Sequence, residues 1–147
     1  MKEFIEFTKE GKVIKMRPDP AEARSLFAQS KERLADIKTL PLNERNAPFR
    51  FEEGYEALRE ALHAFMAQEG YKPYSHEAIF SFAMEKKLLA ESEIMKADRY
   101  REIRNDINYR GKSVTVEEAM ELISFINLHI PLLEKNFLGL LDGGRNA

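Results

Sequence analysis

The chain contains no cysteine and no long apolar segment. Without cysteine it can form no disulfide, no thiolate nucleophile and no cysteine metal site. No apolar run approaches the length of a membrane span, and the first ten residues, MKEFIEFTKE, are too charged for a signal peptide. We therefore expect a cytoplasmic protein that does not enter a membrane. No cofactor is expected either.

An excess of positive charge is also missing. Lys and Arg number 23 against 25 Asp and Glu, so the formal net charge is −2. Any binding of nucleic acid must then come from a local patch rather than from the whole chain. With 147 residues, 44% of them apolar, and no internal repeat, low-complexity segment or linker, residues 1–147 are expected to form a single domain.

The apolar pattern predicts an all-α fold with a short β-hairpin at its N-terminal end. Residues 4–7 and 13–16 are apolar-rich runs on either side of Gly11, which indicates a hairpin over residues 1–17. Residues 19–138 keep helical spacing and predict an up-and-down bundle of four to five helices. Residues 142–147 predict a frayed tail.

Capping residues give the expected helix boundaries. Asp19 before Pro20 predicts the first helix, to about residue 38, and Gly70 ends a second helix over residues 48–69. Ser75 is the expected cap of a third helix that ends near residue 89, and Ser92 is the expected cap of a fourth over residues 93–109. A capping box at residues 115–118 starts the last helix, in which the proline at position 131 should produce a kink.

The expected fourth helix carries the strongest functional signal. Its polar side chains recur at steps of three and four, which places two guanidiniums, two carboxamides and a carboxylate on one face: Asp98, Arg101, Arg104, Asn105 and Asn108. The opposite stripe carries Tyr100, Ile103 and Ile107. Such a face can hold a phosphate or a base edge by several hydrogen bonds. The alternative is an ordinary solvated helix face.

Several short motifs together resemble the HEPN family. They are the segments 53–62 and 70–76, then Arg104-Asn105 with Tyr109 and Gly111 before a last amphipathic helix, and the resemblance covers roughly residues 19–138. It implies a four- or five-helix bundle that forms a homodimer, with the arginine motif at the dimer cleft. It also implies a role like that of toxin-antitoxin or defence ribonucleases, or of proteins that pair with a small nucleotidyltransferase.

The family's catalytic motif is only half present in this chain. In that motif a histidine follows the arginine within a few residues and moves the proton of a ribose 2′-hydroxyl, while the arginine stabilises charge on the phosphate without a metal. Arg104 and Asn105 fit, but residues 108–110 are Asn, Tyr and Arg. An asparagine cannot exchange protons near neutral pH, and a tyrosine is a poor base there.

The sequence therefore favours a non-catalytic module that binds a nucleotide, RNA or a protein partner. The expected ligand-binding residues are Arg101, Arg104, Asn105, Asn108 and Arg110. A metal-independent RNase is the alternative, with Arg104 and Tyr109 as the catalytic residues or with a histidine brought from elsewhere, such as His76. A plain oligomerisation domain is a further hypothesis.

The remaining ionisable candidates are weaker. His63, His76 and His129 are isolated from one another, so no metal site is expected, and each is more simply explained as a surface or packing residue. Lys72, in the turn before Ser75, is more simply explained as a solvated turn residue than as a phosphate ligand.

Overall fold

The computed structural model describes residues 1–145 and is about three quarters helical over the chain, which confirms the all-α class. Its elements, in chain order, are α1 (Phe4–Lys9), β1 (Val13–Lys15), α2 (Pro20–Thr39), α3 (Ala47–Glu69), β2 (Tyr71–Pro73), α4 (His76–Glu85), α5 (Glu91–Arg110) and α6 (Val116–Arg145). None of the helices over these residues combines the length and the apolarity needed to cross a bilayer.

The first segment of the chain is a helix, so the predicted hairpin over residues 1–17 is wrong. Phe4 and Phe7 are both buried, while Ile5 between them is exposed. A strand would send Phe4 and Phe7 to opposite faces, whereas a helix places residues three apart on the same face. The ring of Phe4 packs edge-on against those of Tyr71 and Phe82, at centroid distances of 5.2 and 5.4 Å. Packing against distant aromatic rings therefore selects the helix.

The short antiparallel sheet joins two distant parts of the chain. Val13 lies opposite Pro73 and Lys15 lies opposite Tyr71. The pairing continues beyond the strands, because the Tyr74 N–H donates to the Lys12 carbonyl at 2.8 Å. The predicted turn before Ser75 is thus largely strand β2, which ends at Pro73, and α4 begins at His76.

Helix α3 lies at the centre of the fold and contacts α2, α4, α5, α6 and β2. Its buried residues include a stripe at steps of three and four: Phe51, Tyr55, Leu58, Leu62, Phe65 and Met66. Gly54 permits a close approach to α6, since a Cβ at that position would lie 3.4 Å from side-chain atoms of Leu122 and Ile126. Helix α2 is attached by a buried hydrogen bond from the Ser30 hydroxyl to the Ala57 carbonyl at 2.6 Å.

The predicted caps of α2, α3 and α6 are confirmed. The Asp19 carboxylate accepts from the Glu22 N–H at 3.0 Å, and Gly70 adopts a left-handed conformation at the end of α3. At the start of α6 the Thr115 hydroxyl accepts from the Glu118 N–H at 3.1 Å, and the Glu118 carboxylate accepts from the Thr115 N–H at 3.2 Å.

Two predicted helix boundaries need correction. Helix α4 ends at Glu85 rather than near residue 89, because Lys87 is left-handed and the Leu88 N–H donates back to the Ala83 carbonyl at 2.9 Å. At the start of α5 the Ala90 N–H donates to the Glu93 carboxylate at 3.0 Å, which places the helix start before Ser92, the expected cap.

The last helix extends further than expected. Helix α6 passes through Pro131 without a break and continues to Arg145, so it includes residues 142–145 of the predicted frayed tail. Residues 146 and 147 of that prediction lie outside the described part of the chain. Phe137, close to this end, stacks on Phe27 of α2 at a centroid distance of 4.9 Å. Such packing gives the C-terminal part of α6 a partner that its sequence alone does not reveal.

Candidate functional site

A polar groove lies between the beginning of α4 and the face of α5 that carries the predicted site. Its volume is about 430 Å³, and its lining residues are Ser75, His76, Glu77, Arg101, Arg104, Asn105 and Tyr109. The structure thus brings together four of the residues that the sequence singled out on α5, together with His76 from a different helix.

Arg104 is the most unusual side chain of the groove. Its guanidinium lies over the ring of Tyr55, 5.7 Å from the ring centroid, and a terminal nitrogen lies 3.8 Å from a Glu56 carboxylate oxygen. That separation is too long for a hydrogen bond. Its Nε is buried and has no hydrogen-bond partner within residues 1–145. Arg104 is therefore oriented by packing, and its terminal N–H groups make no hydrogen bond within residues 1–145.

Arg101 is held more firmly than Arg104. Its Nε donates to the Asp98 carboxylate at 2.9 Å, one turn back on the same helix, and Nη1 lies 3.7 Å from a Glu77 oxygen on α4. The hydrogen bond to Asp98 occupies Nε, and both terminal nitrogens make only longer contacts with carboxylates. The longer contact with Glu77 crosses the groove and is the one that an incoming anion would have to displace.

Tyr55 of α3 connects the core to the groove. The residue is fully buried, and its hydroxyl oxygen lies 2.9 Å from Nδ1 of His76. Within residues 1–145 the hydroxyl makes no other hydrogen bond. A buried O–H without an acceptor costs about 1–3 kcal/mol, so the hydroxyl must donate its proton to Nδ1.

This hydrogen bond determines the tautomer of His76. Because Nδ1 accepts, the neutral imidazole carries its own proton on Nε2. Burial, together with the nearby charge of Arg59, lowers the pKa of His76 to about 4, while Glu56 opposes this change. Burial also raises the pKa of Tyr55 well above its ordinary value, so its hydroxyl stays protonated. At neutral pH His76 is consequently a neutral N–H donor.

The neighbouring carboxylate of Glu56 is already occupied. Arg59 donates two hydrogen bonds to it, at 2.6 and 3.1 Å, both to Oε2. Burial alone would raise the pKa of Glu56, but the bonds and charge of Arg59, with Arg104 behind them, lower it. The carboxylate is therefore ionised and mostly neutralised by Arg59, which leaves the positive charge of Arg104 only partly compensated.

Two predicted ligand-binding residues do not line the groove. Asn108 is on the predicted face, but its side-chain amide donates across to Glu52 of α3 at 3.1 Å. Arg110 follows Arg104 by one and two-thirds helical turns, so it lies on another side of α5, where it is 70% exposed and 3.7 Å from Asp106. Proximity in sequence does not bring Arg110 into the site.

The other histidines lie away from the groove. His129 is buried against the ring of Phe125, and its Nδ1 lies 3.9 Å from the Glu93 carboxylate. It borders a larger cavity of about 540 Å³, whose lining contains no arginine. His63 lines a small separate cavity beside Gly70. Within residues 1–145, no group of three or more His, Asp or Glu side chains is arranged to hold a metal ion.

Sequence reasoning missed the contribution of α3. Tyr55 is a core aromatic, and its hydroxyl also orients His76 through a hydrogen bond to Nδ1. Glu56 and Arg59 were not recognised as neighbours of the site. In the sequence, Glu56 and Arg59 stand beside the core-facing positions of α3. Polar residues in such positions usually lie at the edge of a buried face, and the sequence gives no other indication of their role. Lys72 does not line the groove and lies over Tyr74 instead, 5.5 Å from its ring centroid.

Comparisons with known proteins add no further assignment, because no protein-family model, no curated protein and no solved structure matches the chain.

Proposed function

We propose that the chain is an up-and-down helical bundle of the HEPN kind that binds the phosphate of a nucleotide or of RNA in the Arg104 groove without cleaving it. The observation that carries the proposal is the state of Arg104. Its side-chain N–H groups make no hydrogen bond within residues 1–145, and one of them is buried. Because Nε is covered, a ligand in the groove would pair with the terminal nitrogens, which form strong, charge-assisted hydrogen bonds with acceptor oxygens.

The other groups around Arg104 are complementary to the same kind of ligand. His76 offers an Nε2–H, Asn105 offers a carboxamide and Arg101 offers a second guanidinium. A phosphate carries only acceptor oxygens, and guanidinium–phosphate pairs form short, charge-assisted hydrogen bonds. Glu77 is the one carboxylate in the lining, and its 3.7 Å contact with Arg101 is long enough to give way to a phosphate oxygen.

A homodimer is part of the proposal. Exposed apolar side chains at the N-terminal end, among them Ile5, Ile14 and Met16, supply a surface that a second copy could cover. Two grooves in one dimer would also concentrate positive charge on a chain whose net charge is −2. A nucleotidyltransferase partner and a toxin-antitoxin role remain proposals that depend on the resemblance alone.

Binding of RNA tests the proposal directly. A labelled RNA oligonucleotide is titrated in EDTA and followed by fluorescence anisotropy with the wild type, with Arg104→Ala and with Arg99→Ala. Arg99 is exposed on α5 and does not line the groove, so it is a matched control for charge. We expect Arg104→Ala to weaken binding about 10- to 150-fold, the equivalent of one charged hydrogen bond of about 1.5–3 kcal/mol. Equal affinities for both variants would contradict the proposal.

Salt dependence supplies a second readout of the same contact. For a single strand, log K falls with log salt with a slope of about −0.7 per neutralised phosphate. Arg104→Ala should therefore make the slope shallower by about 0.7, and Arg99→Ala should leave it unchanged. If Arg104→Ala instead moves the protein toward monomer in light scattering without changing affinity, Arg104 serves oligomerisation and the groove is not a ligand site.

The position of His76 favours a second candidate, a metal-independent RNase. In that function His76 Nε2 would take the 2′-hydroxyl proton while Arg104 stabilises the charge on the phosphorus oxygens. The hydrogen bond from Tyr55 works against it, because Nε2 already carries a proton in the favoured tautomer. We therefore expect that the wild type in EDTA shows no RNA cleavage that depends on Arg104 and His76, as judged by the variants Arg104→Ala and His76→Gln. Cleavage that both variants abolish would establish the RNase instead.

A further inference from the structure

We propose that the groove is built for single-stranded RNA, with an unpaired base stacked on the ring of Tyr109 while the adjacent phosphate is bound by Arg104 and Arg101. The inference rests on the proposed function and specifies its ligand. It requires Tyr109 to be a binding platform rather than part of the folded core, and the exposure of the ring is the observation that leads to it.

Tyr109 is 79% exposed, the largest fraction among the exposed large apolar side chains of residues 1–145. It nevertheless lines the groove. Most tyrosines elsewhere in the chain are buried in whole or in part, as Tyr55, Tyr71 and Tyr100 are. A ring that stays in water at the edge of a cationic groove is free to accept a second ring, and stacking between an aromatic side chain and a base is tolerant of sequence.

The arrangement along α5 suits one nucleotide next to another. Tyr109 follows Asn105 by about one turn and Arg101 by eight residues, which is about 12 Å along the axis. The phosphate-binding groups therefore come first along α5, and the one base-stacking group, Tyr109, follows them at the C-terminal end of the groove.

Only an unpaired base can use the Tyr109 ring. In a duplex both faces of each internal base are already stacked on neighbouring base pairs, so a side chain at the surface meets phosphates and groove edges instead. A duplex could still contact Arg104 and Arg101 through its phosphates. Preference for the single strand is thus the specific consequence of Tyr109, whereas affinity for phosphate in general is the consequence of the arginines.

The chain has no tryptophan, so Tyr109→Trp creates a single fluorescent reporter that keeps an aromatic platform. We would titrate this variant with a single-stranded RNA oligonucleotide, with the same strand annealed to its complement, and with a mononucleotide. Stacking should quench the emission with the single strand, at lower concentration than with the mononucleotide, and the duplex should produce little quenching. Equal quenching by the strand and the duplex, or by the strand and the mononucleotide, would overturn the inference.

Affinity measurements on a second set of variants separate this inference from the proposed function. Tyr109→Leu should weaken binding of the single strand about 5- to 150-fold, and Tyr109→Phe should retain it. Tyr74→Leu is the matched control, since Tyr74 is 59% exposed and lies outside the groove lining. If Arg104→Ala weakens binding and Tyr109→Leu does not, only the inference fails. If the wild type binds no RNA or nucleotide, the proposed function fails with it.

Discussion

Replacing Tyr55 with phenylalanine isolates the hydrogen bond that orients His76. The change removes one hydroxyl from a fully buried residue and keeps the ring on which Arg104 packs. A net loss of one neutral hydrogen bond costs about 0.5–1.5 kcal/mol, and the freed Nδ1 loses its only donor within residues 1–145. We therefore expect the free energy of unfolding to fall by about 1 kcal/mol, with the urea m-value unchanged.

The same substitution should alter the chemistry of His76. The Tyr55 hydroxyl donates to the neutral ring and so favours the form with the proton on Nε2. Without it, the Nδ1–H tautomer should become populated, and the pKa of His76 should rise from its lowered value of about 4. Nitrogen-15 NMR of the histidine side chains distinguishes the two tautomers.

Tyr71→Phe is the matched control for this experiment. Tyr71 is partly buried against the core, and its hydroxyl makes no hydrogen bond within residues 1–145, so we expect its loss to change stability by less than about 0.5 kcal/mol. If Tyr55→Phe is as stable as Tyr71→Phe, and the His76 signals still report Nε2–H alone, the tautomer argument is refuted and the case against the RNase weakens with it.

Two further predictions concern stability. Burial, with Arg59 nearby, lowers the pKa of both His63 and His76 from 6.5 to about 4, so the unfolded chain takes up protons first as the pH falls. The stability that the two neutral histidines contribute is complete above pH 6.5 and is lost toward pH 4, on the order of 1 kcal/mol each after solvent screening. We therefore expect His76→Gln to reduce the difference between the urea midpoints at pH 7 and pH 5. An unchanged difference would contradict this prediction. Gly70→Ala should lower the free energy of unfolding in urea by about 2 kcal/mol or more, because φ at this position is +91° and the new Cβ would lie 2.4 Å from the Met16 carbonyl oxygen. A stability equal to that of the wild type would show that the turn between α3 and β2 relaxes without cost.

Local signals in the sequence were sufficient for most of the helices. The caps at Asp19 and Gly70 and the capping box at Thr115 act between residues a few positions apart, so they can be read without knowledge of the fold. Spacing on α5 likewise predicted that Arg101, Arg104 and Asn105 share a face, because helical geometry alone places them there.

Long-range contacts decided the parts that were predicted wrongly. Residues 4–7 have an apolar pattern that suits a short strand or a helix, and the rings of Tyr71 and Phe82, far along the chain, select the helix. Strand β1 likewise pairs with β2, which is distant in sequence, rather than with residues 4–7. No local pattern specifies which distant surface a short amphipathic segment will cover.

By itself, the sequence determined the helical class of this protein, most of its helix boundaries and the polar face of α5, since each depends on interactions within a few residues. Only the tertiary structure decided that His76 and Tyr55 meet that face, that Arg104 retains unpaired donors, and that Asn108 and Arg110 lie outside the groove. A site made from three helices depends on how those helices pack, and packing is determined by the shape and burial of side chains that are distant in sequence.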